Sequence, residues 1–127
     1  SVLSGMTIKE AQYLIKHIEL GTLEKVREKT LPEKKENTQR LVLKLIEEFG
    51  ELAENIRKDV RYTCEDFKVT IQEKLFKNSN YTIAIANNYN INLEEIFYIK
   101  DQVNMKKYKR KFSLDDAREE YKKESRD

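Results

Sequence analysis

Between Val42 and Ile56 apolar side chains fall at helical spacing, and four glutamates are set among them. Val42, Leu45, Ile46, Phe49, Leu52, Ala53 and Ile56 describe one broad apolar face, which predicts a helix with that face in a core. Glu47, Glu48, Glu51 and Glu54 lie beside it. Glu48 and Glu51 are three positions apart, so their carboxylates project together. Two carboxylates that close repel one another unless a cation lies between them. Such a pair is either a solvated acidic surface, since glutamate is a good helix former, or half of a Mg²⁺ site built from hard oxygen ligands.

The rest of the chain reads as helices separated by short turns. Charged residues make up 38% of the 127 positions and hydrophobic ones 39%, with one proline and three glycines, a balance that excludes sandwiches and disordered tails. Thr7 and Glu10 form a capping box ahead of Ile8, Ala11, Leu14, Ile15 and Ile18, which predicts a first helix ending near Gly21. His17, the only histidine, lacks a second ligand nearby and reads as a side chain at or near the surface. Thr22 to Lys35 reads as a linker with a short turn at Leu23 to Arg27, because Pro32 restricts the residue before it and lacks an N–H. Asn37 or Thr38 is expected to cap the second helix, which runs to about Val60.

A third helix is expected from Glu65 or Asp66 to Tyr89. Phe67, Ile71 and Leu75 make one stripe on it; Thr82, Ile85, Ala86 and Tyr89 make a later one. Lys77 to Asn80 are weak helix formers and locally favour a break. Asn92 and Glu95 cap a fourth helix, with Ile96, Phe97, Ile99 and Val103 expected to face inward. Ser113 and Asp116 cap a last, highly charged helix within residues 113–127.

The expected fold is therefore an all-α bundle of four to five helices within one domain over residues 6–127. Residues 1–5, ahead of Met6, are set aside as an expression remnant. The net charge of +2 is too small to argue for nucleic acid, which is not expected as a partner. Cys64 is the only cysteine, so no internal disulfide forms and a reducing, cytoplasmic setting fits. No apolar run reaches the length of a membrane span.

Three stretches together resemble the MazG-like nucleoside triphosphate pyrophosphohydrolases. Glu47-Glu48-Phe49-Gly50-Glu51 is similar to that family's Glu-Glu-x-x-Glu helix. Ile83 to Asn87, followed by Asn90 to Glu95, resembles its apolar helix and the turn after it. Lys100 to Tyr108 is similar to its Lys-x-x-x-Asn run with basic residues and a tyrosine. The resemblance implies an antiparallel bundle completed by a homodimer or homotetramer. It also implies catalytic Glu47, Glu48 and Glu51, with Glu48 and Glu51 as metal ligands, and nucleotide contacts from Asn104, Lys107 and Tyr108. The implied reaction is Mg²⁺-dependent cleavage of a nucleoside triphosphate to the monophosphate and pyrophosphate.

The family's second carboxylate pair, a Glu-x-x-Asp on the next helix, falls on Lys74 and Lys77. Two anions have become cations. Glu73 lies about 100° away around the helix and is a poor substitute. The lysines could neutralise Glu48 and Glu51 directly, giving a structural salt-bridge cluster, or contact phosphates in a metal-free pocket. The first is favoured, because buried carboxylates need partners. The chain thus reads as a MazG-like enzyme impaired at its metal site or as a silent relative acting as a nucleotide-binding or protein-interaction module. The basic run Lys106 to Lys111 reads first as a helix end suited to the dipole.

Overall fold

The computed structural model describes residues 6–20, 29–58 and 64–124. Among the described residues it is all-helical: α1 (Ile8–Leu20), α2 (Leu31–Lys58), α3 (Cys64–Asn88), α4 (Leu93–Lys107) and α5 (Leu114–Glu124), with no strand. None of these helices is long and apolar enough to cross a membrane. The chain divides into two compact units, Ser1–Ile91 and Asn92–Asp127. The expected turn at Leu23 to Arg27 lies outside the described residues.

The first unit is held by α3, which touches both α1 and α2. Thr7 Oγ1 accepts from the Glu10 N–H and starts α1, as its capping box predicts. The start of α2 differs from expectation. It begins at Leu31, six residues before Asn37, because Thr30 and Glu33 form a second capping box: the Thr30 N–H donates to Glu33 Oε2 at 2.9 Å and the Glu33 N–H to Thr30 Oγ1 at 3.4 Å. Pro32 then sits in the first turn, where its missing N–H has no helical partner to lose.

α3 runs without interruption through Lys77 to Asn80, where local propensity favours a break. Ser79 Oγ donates to the Leu75 carbonyl at 2.8 Å and Thr82 Oγ1 to the Asn78 carbonyl at 2.9 Å, so these hydroxyls bond back along the helix instead of ending it. α3 doubles back along α2. Asn88 near its end meets Asn37 near the start of α2, and Lys74 meets Glu48 and Glu51 further along.

Among the described residues the apolar interior is small. Ile15 of α1, Leu41 of α2 and Ala84 of α3 form it, with Tyr81, Ile83 and Ile85 packed against them. A polar layer closes one end. Asn88 Oδ1 accepts from Asn37 Nδ2 at 2.9 Å and Lys29 Nζ at 3.4 Å, and its amide donates to Thr38 Oγ1 at 3.3 Å. Beside it Gln12 Nε2 donates to Asn87 Oδ1, and Asn87 Nδ2 to the Gln12 carbonyl, which fastens α1 to α3.

The broad apolar face expected of α2 is only partly used. Leu41, Leu45, Glu48 and Leu52 turn inward, whereas Val42, Ile46, Phe49 and Ile56 stay exposed. α3 covers one side of that face and leaves the flank bare.

In the second unit Asn92 Oδ1 accepts from the Glu95 N–H and caps α4, as expected. Ser113 caps α5, its Oγ accepting from the Asp116 N–H. Asp101 joins the two helices: it pairs with Arg110 and accepts the Leu114 N–H at 2.8 Å. Ile96, Phe97, Ile99 and Val103, expected to face inward, are all exposed, and α4 has no buried residue. One short helix offers too little surface to cover them.

Candidate functional site: an acidic pair closed by Lys74

The inward face of α2 carries Glu48 between Leu45 and Leu52, and Glu48 is only 9% exposed. A carboxylate so placed must be paired or hydrogen-bonded. α3 supplies the partner. Lys74 Nζ lies 3.0 Å from Glu48 Oε2 and also hydrogen-bonds Glu51 Oε2. One ammonium thus binds both carboxylates, and it takes the place where a cation between them would sit.

The electrostatics follow the geometry. The hydrogen bond from Lys74, and then its charge, hold the Glu51 carboxyl below the usual carboxylate range, with Lys77 adding a smaller contribution. Hydrogen bonds to Glu51 and Glu48 push the Lys74 ammonium up, so it stays protonated.

The other residues singled out in the sequence lie elsewhere. Glu47 pairs with Lys44 at 3.8 Å on the exposed side of α2, turned away from Lys74. Lys77 reaches its own helix, with Nζ 3.9 Å from Glu73 Oε1, so only one of the two lysines bridges the acidic pair. His17 packs its ring against Tyr13, centroids 4.4 Å apart. In the second unit Lys107 Nζ lies 5.2 Å from the Tyr108 ring centroid, and the Tyr108 N–H caps α4 on the Asn104 carbonyl. Asn104 is half-buried there, while Lys107 and Tyr108 are exposed.

Mg²⁺ does not fit this acidic pair. A divalent ion needs several oxygen ligands in near-octahedral array, and here a protein cation already occupies the approach to both carboxylates. Among the described residues no three histidine, cysteine, aspartate or glutamate side chains come together as a metal site.

Asn78 enters the sequence reading as one of four weak helix formers, and its burial adds what that reading lacks. It lies one turn beyond Lys74 on α3, is 5% exposed, and neither its Nδ2 nor its Oδ1 finds a hydrogen-bond partner. Its polarity at a position flanked by Lys74, Tyr81 and Ile85 on one helical stripe was the available signal. A cleft of about 690 Å³ lies on another side of the first unit, walled by Leu14, Ile18, Leu41 and Phe76 with Glu10 and Arg40 contributing polar groups. It contains none of Glu48, Glu51 and Lys74.

No known family, curated protein or solved structure matches the chain.

Proposed function

We propose that the chain is a relative of the MazG-like pyrophosphohydrolases that has given up metal-dependent hydrolysis and works as a binding or interaction module. The observation that carries this reading is the Lys74 ammonium, bound to both Glu48 and Glu51. Metal-assisted phosphoryl chemistry depends on a cation that carries ligand positions free for phosphate oxygens and water. An ammonium group has no ligand positions to offer, so no hydrolytic step is assigned to Glu47, Glu48 or Glu51. On this reading Asn104, Lys107 and Tyr108 are the residues left to contact a nucleotide, through an amide, a cation and an exposed ring.

Two measurements test the proposal. With Mg²⁺ and a panel of ribo- and deoxyribonucleoside triphosphates, no pyrophosphate release is expected. Turnover that disappears in Glu48→Ala would overturn the silent reading and restore the enzyme. Titration calorimetry with Mg²⁺ gives the second arm. Wild type is expected to show no binding at the acidic pair, whereas Lys74→Glu with Lys77→Asp gains a Mg²⁺ site that Glu48→Ala removes. If the double variant gains none, the correspondence with the family's second carboxylate pair is wrong.

A further inference from the structure

The stretch from Met105 to Phe112, which closes α4 and turns toward α5, carries Lys106, Lys107, Lys109, Arg110 and Lys111 and no carboxylate. Its charge exceeds the net +2 of the whole chain, which therefore conceals it. Arg110 is already paired with Asp101. Among the described residues the four lysines lie in no ion pair, and all four are exposed. Two rings are set among them: Tyr108 is 67% exposed and Phe112 52%. Lys107 lies over the Tyr108 ring, which stands among cations and not in a core.

The dipole of α4 does not account for this run. Cations suit a helix C-terminus. The last carbonyls are already satisfied, however: that of Asn104 accepts the Tyr108 N–H at 2.9 Å and that of Met105 the Arg110 N–H at 3.0 Å. Lys109 and Lys111 also lie beyond the end of the helix.

Lys109 adds an independent sign. It closes α4 in the left-handed region, with φ 51°. α3 closes in the same way, the Ile91 N–H donating to the Ala86 carbonyl at 3.0 Å with Asn90 at φ 53°. Glycine or asparagine is the usual occupant, because a β-carbon in that conformation crowds the following carbonyl. The end of α3 follows the rule, and the end of α4 keeps a lysine. A side chain held against backbone preference points to a role for its charge.

We infer that this turn is a binding site for single-stranded nucleic acid. Lys106, Lys107, Lys109 and Lys111 neutralise phosphates along the strand, and the Tyr108 and Phe112 rings stack on its bases. A strand offers both partners in alternation, whereas a duplex hides its base faces. A lipid surface fits less well. It takes up apolar groups along one edge of a helix, and the exposed Phe97, Tyr98 and Ile99 of α4 are consecutive, each about 100° round from the last. The inference does not rest on the MazG-like reading: Lys109, Lys111 and Phe112 lie outside the residues which that resemblance covers.

Fluorescence anisotropy with a labelled oligouridylate of about 12 nucleotides tests it. Four phosphate contacts predict that log K falls with log salt at a slope of about −3. Lys109→Ala with Lys111→Ala is expected to flatten the slope by about 1.4 and to weaken binding about 25-fold at about 0.1 M salt. Lys35→Ala with Lys68→Ala, an equal loss of charge from exposed positions of the first unit, is expected to change neither. Tyr108→Leu is expected to weaken binding about tenfold with the slope kept. Lys109→Gly separates charge from fold: it is expected to raise the urea midpoint and yet to weaken binding about fivefold. The proposal is overturned by a strand that does not bind, by lysine variants that bind as wild type does, by a Tyr108→Leu without effect, or by a duplex or phosphatidylserine vesicles bound in preference to the strand. Nucleoside triphosphate binding, measured in parallel, decides the earlier reading separately: its absence beside strand binding sinks that reading and leaves this one standing.

Discussion

Replacing Asn78 by leucine should make the protein more stable, although asparagine is the residue in place. Asn78 is 5% exposed and both polar atoms of its amide lack partners. A buried polar group left unsatisfied costs about 1–3 kcal/mol. Leucine, of similar size, removes that penalty and adds up to about 0.5 kcal/mol of helix propensity. The expected gain is about 2 kcal/mol, or about 8 °C in Tm for a chain of this length. Urea unfolding at one fixed protein concentration checks it, with an unchanged slope and a raised midpoint. Asn78→Ala is the control: it removes the orphan amide but leaves a void, and a change near zero is expected. An unstable Asn78→Leu would refute the reasoning, since it would mean that the amide has a partner whose loss outweighs the burial.

The remaining predictions concern charge and capping. Lys74→Met should destabilise the fold at pH 7, because the buried Glu48 loses its cation. In wild type the Glu51 carboxyl is held low, so it adds stability above the ordinary carboxylate pKa that is lost as pH falls through its lowered value. Lys74, pushed up, adds stability that is lost only as pH rises through its raised value. Urea midpoints across the acid range should therefore flatten in Lys74→Met; an undiminished acid transition would sink this account. Thr30→Ala should cost about 1 kcal/mol through loss of the cap on α2, measured by urea unfolding, with no effect if α2 began at Asn37. Asp101→Asn should weaken the joint between α4 and α5, since Asp101 pairs with Arg110 and accepts the Leu114 N–H. Amide exchange across Leu114 to Ala117 should quicken; unchanged protection there would argue that Asp101 holds nothing.

Local rules read much of the fold correctly. Thr7 with Glu10, Asn92 with Glu95 and Ser113 with Asp116 announced three helix starts, because capping depends on residues three apart in sequence. The same rule applied at Thr30 and Glu33 would have placed the start of α2, but Pro32 between them was read as a breaker. At Lys77 to Asn80 local propensity pointed to a break, and back-bonding by Ser79 and Thr82 within a packed helix prevailed. Which apolar residues are covered was less legible. Ile46 and Leu45 are neighbours on one periodic face, yet Leu45 on the side that α3 reaches is partly covered and Ile46 is exposed. The candidate site was legible in its residues and not in its roles. Spacing brought Glu48 and Glu51 together, but the choice of Lys74 over Lys77 as their partner depends on how two distant helices meet.

The Lys74 ammonium is a counterion tied to the backbone, so it is present beside Glu48 and Glu51 at a local concentration that no dilution lowers. A dissociable ion in the same place would couple the packing of α2 on α3 to the ionic composition around the protein. With the counterion supplied by α3 itself, the hold of α2 on α3 at this point is expected not to change when a chelator is added.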